Sequence, residues 1–313
     1  MYSPVILGSF MPTSPVLSDA NHRDAIEREL RWLLEARPIW SSGMDSDCVP
    51  LIKICNGSVT EIAENLANEW AWHGAPRRLG RRFESLLTAL LEQTERSKLL
   101  GHGIIIKNQK QTIGELDYLI ELPGRVLHLE VAVKFYAGIG TPIERTKKSA
   151  WVGPSCQDRL DLKINHLKTR QLTMSQTPLG LQSIADEGLA KPDSSLGLIF
   201  GYLIDPWSDA GYLPDGLNSS SPAYWATCKE ARKAMRHLSR PYSTNYGWTR
   251  LERDQWIAPF FGQAELPLVI KSLDRPAQAD CYALTSKHSS STEKLRLFVM
   301  HDGYADEALR AVG

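Results

Sequence analysis

Two stretches of strict alternation flank Pro123-Gly124, and no other part of the chain constrains the fold as tightly. Before the turn, Leu116, Tyr118, Ile120 and Leu122 share one face, with Glu115, Asp117, Leu119 and Glu121 on the other. After it, Leu127, Leu129, Val131, Val133 and Phe135 alternate with His128, Glu130, Ala132 and Lys134. A period of two is the pattern of strands with one buried face, and Pro-Gly between two such runs marks a hairpin. L-Pro-Gly prefers type I or II turns over the primed turns of two-residue hairpins, so a four-residue loop is expected. Any loop symmetric about Pro123-Gly124 pairs Leu122 with Arg125 and therefore Asp117 with Glu130, their Cβ atoms about 4.5–5.5 Å apart. Two carboxylates so placed repel unless a cation or a proton lies between them.

The rest of the chain must supply a body for this hairpin. With 313 residues, 42% apolar and 23% charged, it has the make-up of a folded globular protein able to bury a substantial core. Its 36 basic and 36 acidic residues balance, which argues against a simple polycation. The charges are nevertheless segregated. Arg77 to Lys110 holds 8 basic and 3 acidic residues, Lys134 to Arg170 again 8 and 3, and Lys229 to Arg253 holds 7 and 2. A neutral protein can thus carry a basic surface suited to a phosphate backbone, or simply solvated helix faces. The five cysteines, Cys48, Cys55, Cys156, Cys228 and Cys281, form no C-x-x-C pair. That pattern suits neither structural zinc nor a disulfide framework and points to a reducing compartment, hence a cytoplasmic protein. No basic residue precedes Arg23, the early apolar run is only Val5-Ile6-Leu7, and the longest later one, around Leu196 to Ile204, is far too short to span a membrane.

Helical spacing of Ile26, Leu30, Leu33 and Leu34, closed by Pro38, predicts a first helix, and Ile62, Leu66 and Trp70 mark a second. From Arg78 to Ser97 the stripe Leu79, Phe83, Leu86, Leu87, Leu90 and Leu91 predicts a third, with Glu84 at its edge. Ile104-Ile105-Ile106 reads as a strand before the hairpin, Tyr136 to Cys156 as a loop-like insertion, and Leu160, Ile164, Leu167 and Leu172 as another helix. Gly197 to Ile204 has the unbroken apolar character of a buried central strand. The core order is therefore helix, three strands, helix, strand, an α/β arrangement in which the last strand joins by a crossover. A helical N-terminal segment (1–76), this core (77–205) and a C-terminal α+β extension (206–313) follow, with Asp205 to Pro222, including Asn218-Ser219-Ser220-Ser221, as linker. Within the extension a helix near Ala226 to Leu238 is expected. It leads into an aromatic-basic run of Arg240, Tyr242, Tyr246, Trp248, Arg250, Arg253 and Trp256, which suits interface packing or the stacking of unpaired bases. A few strands and an end helix are expected to close the chain.

Magnesium prefers oxygen ligands, keeps several waters and needs only one or two carboxylates besides substrate phosphate. Asp117 and Glu130 supply such a pair, the carbonyl of Val131 adds an oxygen, and Glu84 projects from the preceding helix. A metal there would polarise a phosphodiester and lower the pKa of bound water, with a lysine stabilising charge. His128 shares the acidic face, where a structural role is expected ahead of one supporting the carboxylates, and none of the eight histidines has zinc-ligand spacing. Neither G-x-S-x-G nor G-x-x-x-x-G-K-[ST] occurs.

Glutamate in a helix, aspartate at the second strand and glutamate with lysine on the third resembles the PD-(D/E)XK nuclease superfamily, whose restriction-endonuclease-like core is αβββαβ. More closely, Leu30-Arg31-Trp32-Leu33-Leu34, Gly80-Arg81-Arg82-Phe83-Glu84, Gly114-Glu115-Leu116-Asp117, His128 to Tyr136 and Asp158 to Lys163 look like an uncharacterised bacterial domain-of-unknown-function family placed in that superfamily. The resemblance spans most of the chain. It implies a Mg²⁺- or Mn²⁺-dependent nuclease acting on DNA, with Glu84, Asp117 and Glu130 as metal ligands and Lys134 completing the catalytic set. The superfamily usually places its lysine two residues after the acid, where this chain has Ala132. Lys134 lies about 13 Å along the strand from Glu130 and must lean back. Lys107 and Lys163 are substitutes from neighbouring elements. Lys107, Asp158, Arg159 and Lys163 are the expected substrate contacts, although Asp158, Arg159 and Lys163 equally suit a salt-linked helix face. The displaced lysine also leaves room for a second reading, a nuclease fold retained as a nucleic-acid-binding or protein-interaction module.

Overall fold

The computed structural model describes residues 19–43, 59–94, 97–209, 217, 222–264 and 279–312. Helix α1 (Asp19–Glu35) leads to a short strand β1 (Trp40–Ser41), followed by α2 (Val59–His73) and α3 (Leu79–Glu92). Three long strands come next: β2 (Lys98–Asn108), β3 (Gln111–Leu122) and β4 (Arg125–Gly138). The segment expected as a loop-like insertion is more ordered than that, with two 3₁₀ turns and β5 (Trp151–Val152), which pairs with the end of β4. A helical stretch then runs as α4 (Leu160–His166), a π-helical turn (Leu167–Gln171) and a last turn (Leu172–Met174), before α5 (Pro178–Asp186) and β6 (Ser194–Pro206). The C-terminal third comprises β7 (Ala223–Thr227), α6 (Ala231–Ser239), β8 (Tyr246–Leu251), β9 (Phe261–Gly262), β10 (Ala279–Ser286), β11 (Ser291–Thr292), β12 (Leu295–Met300) and α7 (Tyr304–Val312).

The strands build a large mixed sheet in the order β2-β3-β4-β6-β7-β12-β10-β8, with β1 beside β6 and β5 beside β4. Antiparallel pairing joins β2, β3 and β4, and β6 lies parallel to β4 from Leu127↔Ser194 to Ala137↔Ile204. The order helix, three strands, helix, strand is thus present, and the connection from β4 to β6 is a helical crossover. The expected helix beginning near Ala226 starts five residues later, because Ala223–Thr227 pairs with β12 as a parallel strand. Among the described residues Cys156 and Cys281 are free thiols; Cys48, Cys55, Val5-Ile6-Leu7 and the linker sequence Asn218 to Ser221 lie outside the described residues. No helix among the described residues is long and apolar enough to cross a membrane.

The core does not break at residue 76 or at 205. One apolar cluster takes Ile26 and Leu30 from α1, Trp70 from α2, Phe83 and Leu86 from α3, Leu129, Phe200 and Tyr202 from the central strands, and Trp256 and Phe298 from the C-terminal third. Each such side chain contributes roughly 1.5–3 kcal/mol when fully buried. The stripe on α3 is buried as its spacing requires, and it includes one unexpected member, Arg82, at 2% exposure. Arg82 lies against Glu29 of α1 (2.8 Å) and over the Trp70 ring (4.6 Å), so a buried ion pair ties the first three helices together. Burial pushes the Glu29 carboxyl up to about 7, against the downward pull of Arg82.

β6 is buried on both faces, as its apolar run predicts. Gly201 within it has φ +122°, and a Cβ there would meet the Lys134 carbonyl oxygen of β4 at 1.8 Å. Only glycine allows β4 and β6 to approach at this point.

Candidate metal centre

The hairpin register is the one its alternation dictates: Leu122 pairs with Arg125, then Ile120 with Leu127 and Tyr118 with Leu129. The loop is shorter than expected, two residues rather than four. Gly124 takes φ +80°, which gives Pro-Gly the type II turn it prefers while the ladder still closes at once.

Regular pairing stops at the next position, where the carboxylates lie. In place of a backbone ladder, the Val131 amide donates to Asp117 Oδ2 (2.9 Å), and the Asp117 amide approaches Glu130 Oε1 (3.4 Å). Across β3 on the other side, Gly103 adopts φ +63°. Strict alternation is interrupted here. Leu116 packs with Leu119, Ile104, Ile106 and Ile184, whereas Tyr118, Ile120 and Leu122 belong to the main core. Leu116 is therefore not on the face its spacing assigns it, because the irregular backbone beside Gly103 and Asp117 re-aims the side chains, as ladder irregularities do.

Asp117 and Glu130 consequently have different surroundings. Glu130 is fully buried. Its Oε1 receives His128 Nε2 (2.8 Å) and its Oε2 receives Gln171 Nε2 (2.5 Å). His128 is itself held at Nδ1 by Ser195 Oγ (3.2 Å), which touches Ser175 Oγ. Glu130 thus has both oxygens occupied, one of them by His128. Asp117 is only partly covered and opens onto two cavities. Burial and the neighbouring Glu130 push its carboxyl up to about 7, with the Val131 amide pulling the other way. Asp117 therefore holds its charge poorly beside Glu130, and a proton or a cation relieves it.

Glu84 projects from α3 into the same space, partly exposed, and lines both cavities that Asp117 lines. Its backbone is pinned by Tyr118, whose hydroxyl donates to the Glu84 carbonyl (3.1 Å) and also contacts Thr88 Oγ1. Partial burial raises its carboxyl pKa; Arg81 lowers it and Glu115 raises it further. The cavity of about 590 Å³ that contains Glu84 and Asp117 is completed by Arg81, Lys163, Arg170 and Gln171. Lys163 donates to Gln171 Oε1 (2.9 Å), so a chain of contacts runs from Lys163 through Gln171 to Glu130. Burial and the nearby Lys134 lower the pKa of its ammonium, which the surrounding carboxylates partly restore.

Of the residues picked out from sequence, Glu84, Asp117 and Lys163 share one cavity, and Glu130 lies buried beneath it. Lys134 does not lean back toward Glu130. It binds Asp158 Oδ2 (2.6 Å), while Asp158 Oδ1 receives the Tyr136 hydroxyl (3.2 Å), and it lines a separate cavity. Arg159 is the N-cap of α4, pairs with Asp161 (2.7 Å) and donates to the Ala311 carbonyl of α7, the salt-linked alternative rather than a cavity contact. Lys107 is exposed near the far end of β2 and lines none of these cavities. Gln171, Tyr118 and Arg81 were not foreseen. The only sequence signal for them was Arg81 beside Glu84, since Gln171 reaches Glu130 through the π-helical turn, which shifts the helix register by one residue.

Among the described residues, no group of three or more His, Cys, Asp or Glu side chains is placed to hold a metal ion. What the cavity offers is narrower: two carboxylates, Asp117 and Glu84, with Oδ2 of Asp117 already engaged by an amide. That set fits a hydrated hard cation such as magnesium or manganese, which keeps several of its waters, and not a fully protein-ligated ion.

The sequence profile of a family described as "Domain of unknown function (DUF1853)" matches residues 28–310. The chain belongs to that family. The match begins within α1 and ends within α7, so the DUF1853 unit takes in the helical segment, the central strands and the C-terminal strands together. No curated protein and no solved structure matches the chain.

Proposed function

We propose that this protein is a magnesium- or manganese-dependent nuclease that hydrolyses phosphodiester bonds of DNA. The reading is carried by one observation, the convergence of Glu84, Asp117 and Lys163 on a single cavity edged by Arg81 and Arg170. The helix, three-strand, helix, strand order with β4 parallel to β6 supports placement in the PD-(D/E)XK superfamily.

Asp117 and Glu84 would hold the ion, which when bound supplies Lewis-acid polarisation of the phosphoryl oxygens and a more acidic water. Arg81 and Arg170 offer the phosphate backbone paired donors at the mouth. Lys163 takes the part that linear spacing gave to Lys134. Its lowered pKa brings it nearer to proton exchange at neutral pH, and its charge faces the carboxylates across the cavity. Glu130 works from below. With His128 and Gln171 on its oxygens it fixes Gln171, which in turn orients Lys163.

One observation favours the second reading, a nuclease fold kept as a nucleic-acid-binding module: Glu130 and Lys134 are both consumed by internal contacts. Incubating purified protein with linear and circular DNA separates the two. The nuclease reading expects cleavage that requires magnesium or manganese and disappears in Asp117→Asn and in Glu84→Gln. Salt-sensitive DNA binding without cleavage, or cleavage that survives Asp117→Asn, sinks it.

A further inference from the structure

A second cavity, about 630 Å³, adjoins the first and shares Glu84 with it. Its size falls within the roughly 300–1,000 Å³ of sites that enclose small molecules. One wall is the N-terminal end of α3, where Arg77, Arg78 and Gly80 line the cavity. The N-cap is Arg78, whose side chain makes no capping bond, and a Cβ added at Gly80 would meet nothing within 4 Å. Open N–H groups of a 14-residue helix and two arginines without ion pairs among the described residues are an anion's surroundings. Phe135 and Trp256, packed edge to face at 5.8 Å, line the same cavity. Arg253 lies over the Trp256 ring at 5.1 Å.

Trp256 points independently to a ligand. It is 4% exposed, and its indole N–H has no hydrogen-bond partner among the described residues. Buried donors are rarely left in this state, so this orphan, on a residue that lines the cavity, is what a ligand acceptor would satisfy. The aromatic-basic run in the sequence divides accordingly. Tyr242 and Tyr246 pack on each other, Trp248 is buried and Arg250 pairs with Asp280, whereas Arg253 and Trp256 reach this cavity.

Resting on the nuclease reading above, we infer that this cavity receives the terminal unpaired nucleotide of a DNA strand. The phosphate sits at the α3 N-terminus between Arg77 and Arg78, and the base lies against the partly exposed Phe135, with Arg253 and the Trp256 indole N–H beside it. Glu84 borders both cavities, so the next phosphodiester along the strand falls beside Asp117 and Lys163. The enzyme then works at frayed or overhanging ends.

Fluorescence anisotropy in EDTA reads this pocket without cutting. A labelled duplex with a single-stranded overhang is expected to bind about tenfold more tightly than the blunt duplex. The preference should vanish in the Arg78→Ala/Arg253→Ala double variant, shrink in Trp256→Phe, and be competed by dTMP. Equal binding of the two duplexes, or a preference that both variants retain, overturns the inference. Cleavage with no end preference would leave the nuclease reading standing and this one refuted; end preference without cleavage does the reverse.

Discussion

On the proposed nuclease reading, Lys163→Met is expected to lower the rate of metal-dependent DNA cleavage by about 100-fold or more, and Lys134→Met to leave it within about threefold. The contrast follows from where the two ammonium groups are. Lys163 lines the cavity with Glu84 and Asp117, and its pKa is lowered mainly by burial. Lys134 is spent on Asp158 at 2.6 Å in a half-exposed pair that contributes at most about 1 kcal/mol to stability. Single-turnover cleavage by the two variants, with folding checked by circular dichroism, gives the comparison. Equal loss in both variants, or a larger loss in Lys134→Met, would return the catalytic role to the strand lysine.

The largest expected effect on stability comes from Arg82→Leu. This change leaves Glu29 buried without its cation, and breaking a buried pair from one side costs about 3–5 kcal/mol. The loss depends on pH. Glu29 already has its folded pKa raised to about 7 by burial, and removing Arg82 raises it further. An acid whose folded pKa lies above its unfolded value destabilises increasingly as pH rises from about 4.5 through the folded pKa, because the unfolded chain releases the proton first. The variant therefore loses less at pH 5, where Glu29 is neutral, than at pH 8. Urea denaturation of both proteins at the two pH values measures this. A loss that is the same at both, or larger at pH 5, contradicts the assignment.

The sequence made the hairpin legible because one register satisfies both alternating runs, and a register slip would turn every core residue to the wrong face. The crossover from β4 to β6 was legible for a similar reason, since the apolar run from Gly197 to Ile204 can be buried only between two other strands. What alternation could not show was the departure from it. At Asp117 side-chain oxygens take over backbone amides, and Leu116 changes sides. The fate of each charged group was equally hidden, because partners arrive from distant parts of the chain. Gln171 reaches Glu130 across 41 residues, Asp158 reaches Lys134 across 24, and Ala311 receives Arg159 across 152. The division at 205 rested on a composition change, whereas β6 extends to Pro206 and pairs with β7, carrying the sheet onward.

The proposed centre differs from the one linear spacing suggested. In the proposal Glu130, the acid that anchors the motif in sequence, serves as a buried support, and Asp117 and Glu84 would hold the ion. Titration of the full chain with manganese, followed by the loss of the free ion's paramagnetic resonance signal, tests this directly. The account predicts one ion per chain, with binding lost in Asp117→Asn and weakened in Glu84→Gln. No uptake by the native chain, or uptake that Asp117→Asn leaves unchanged, would contradict it.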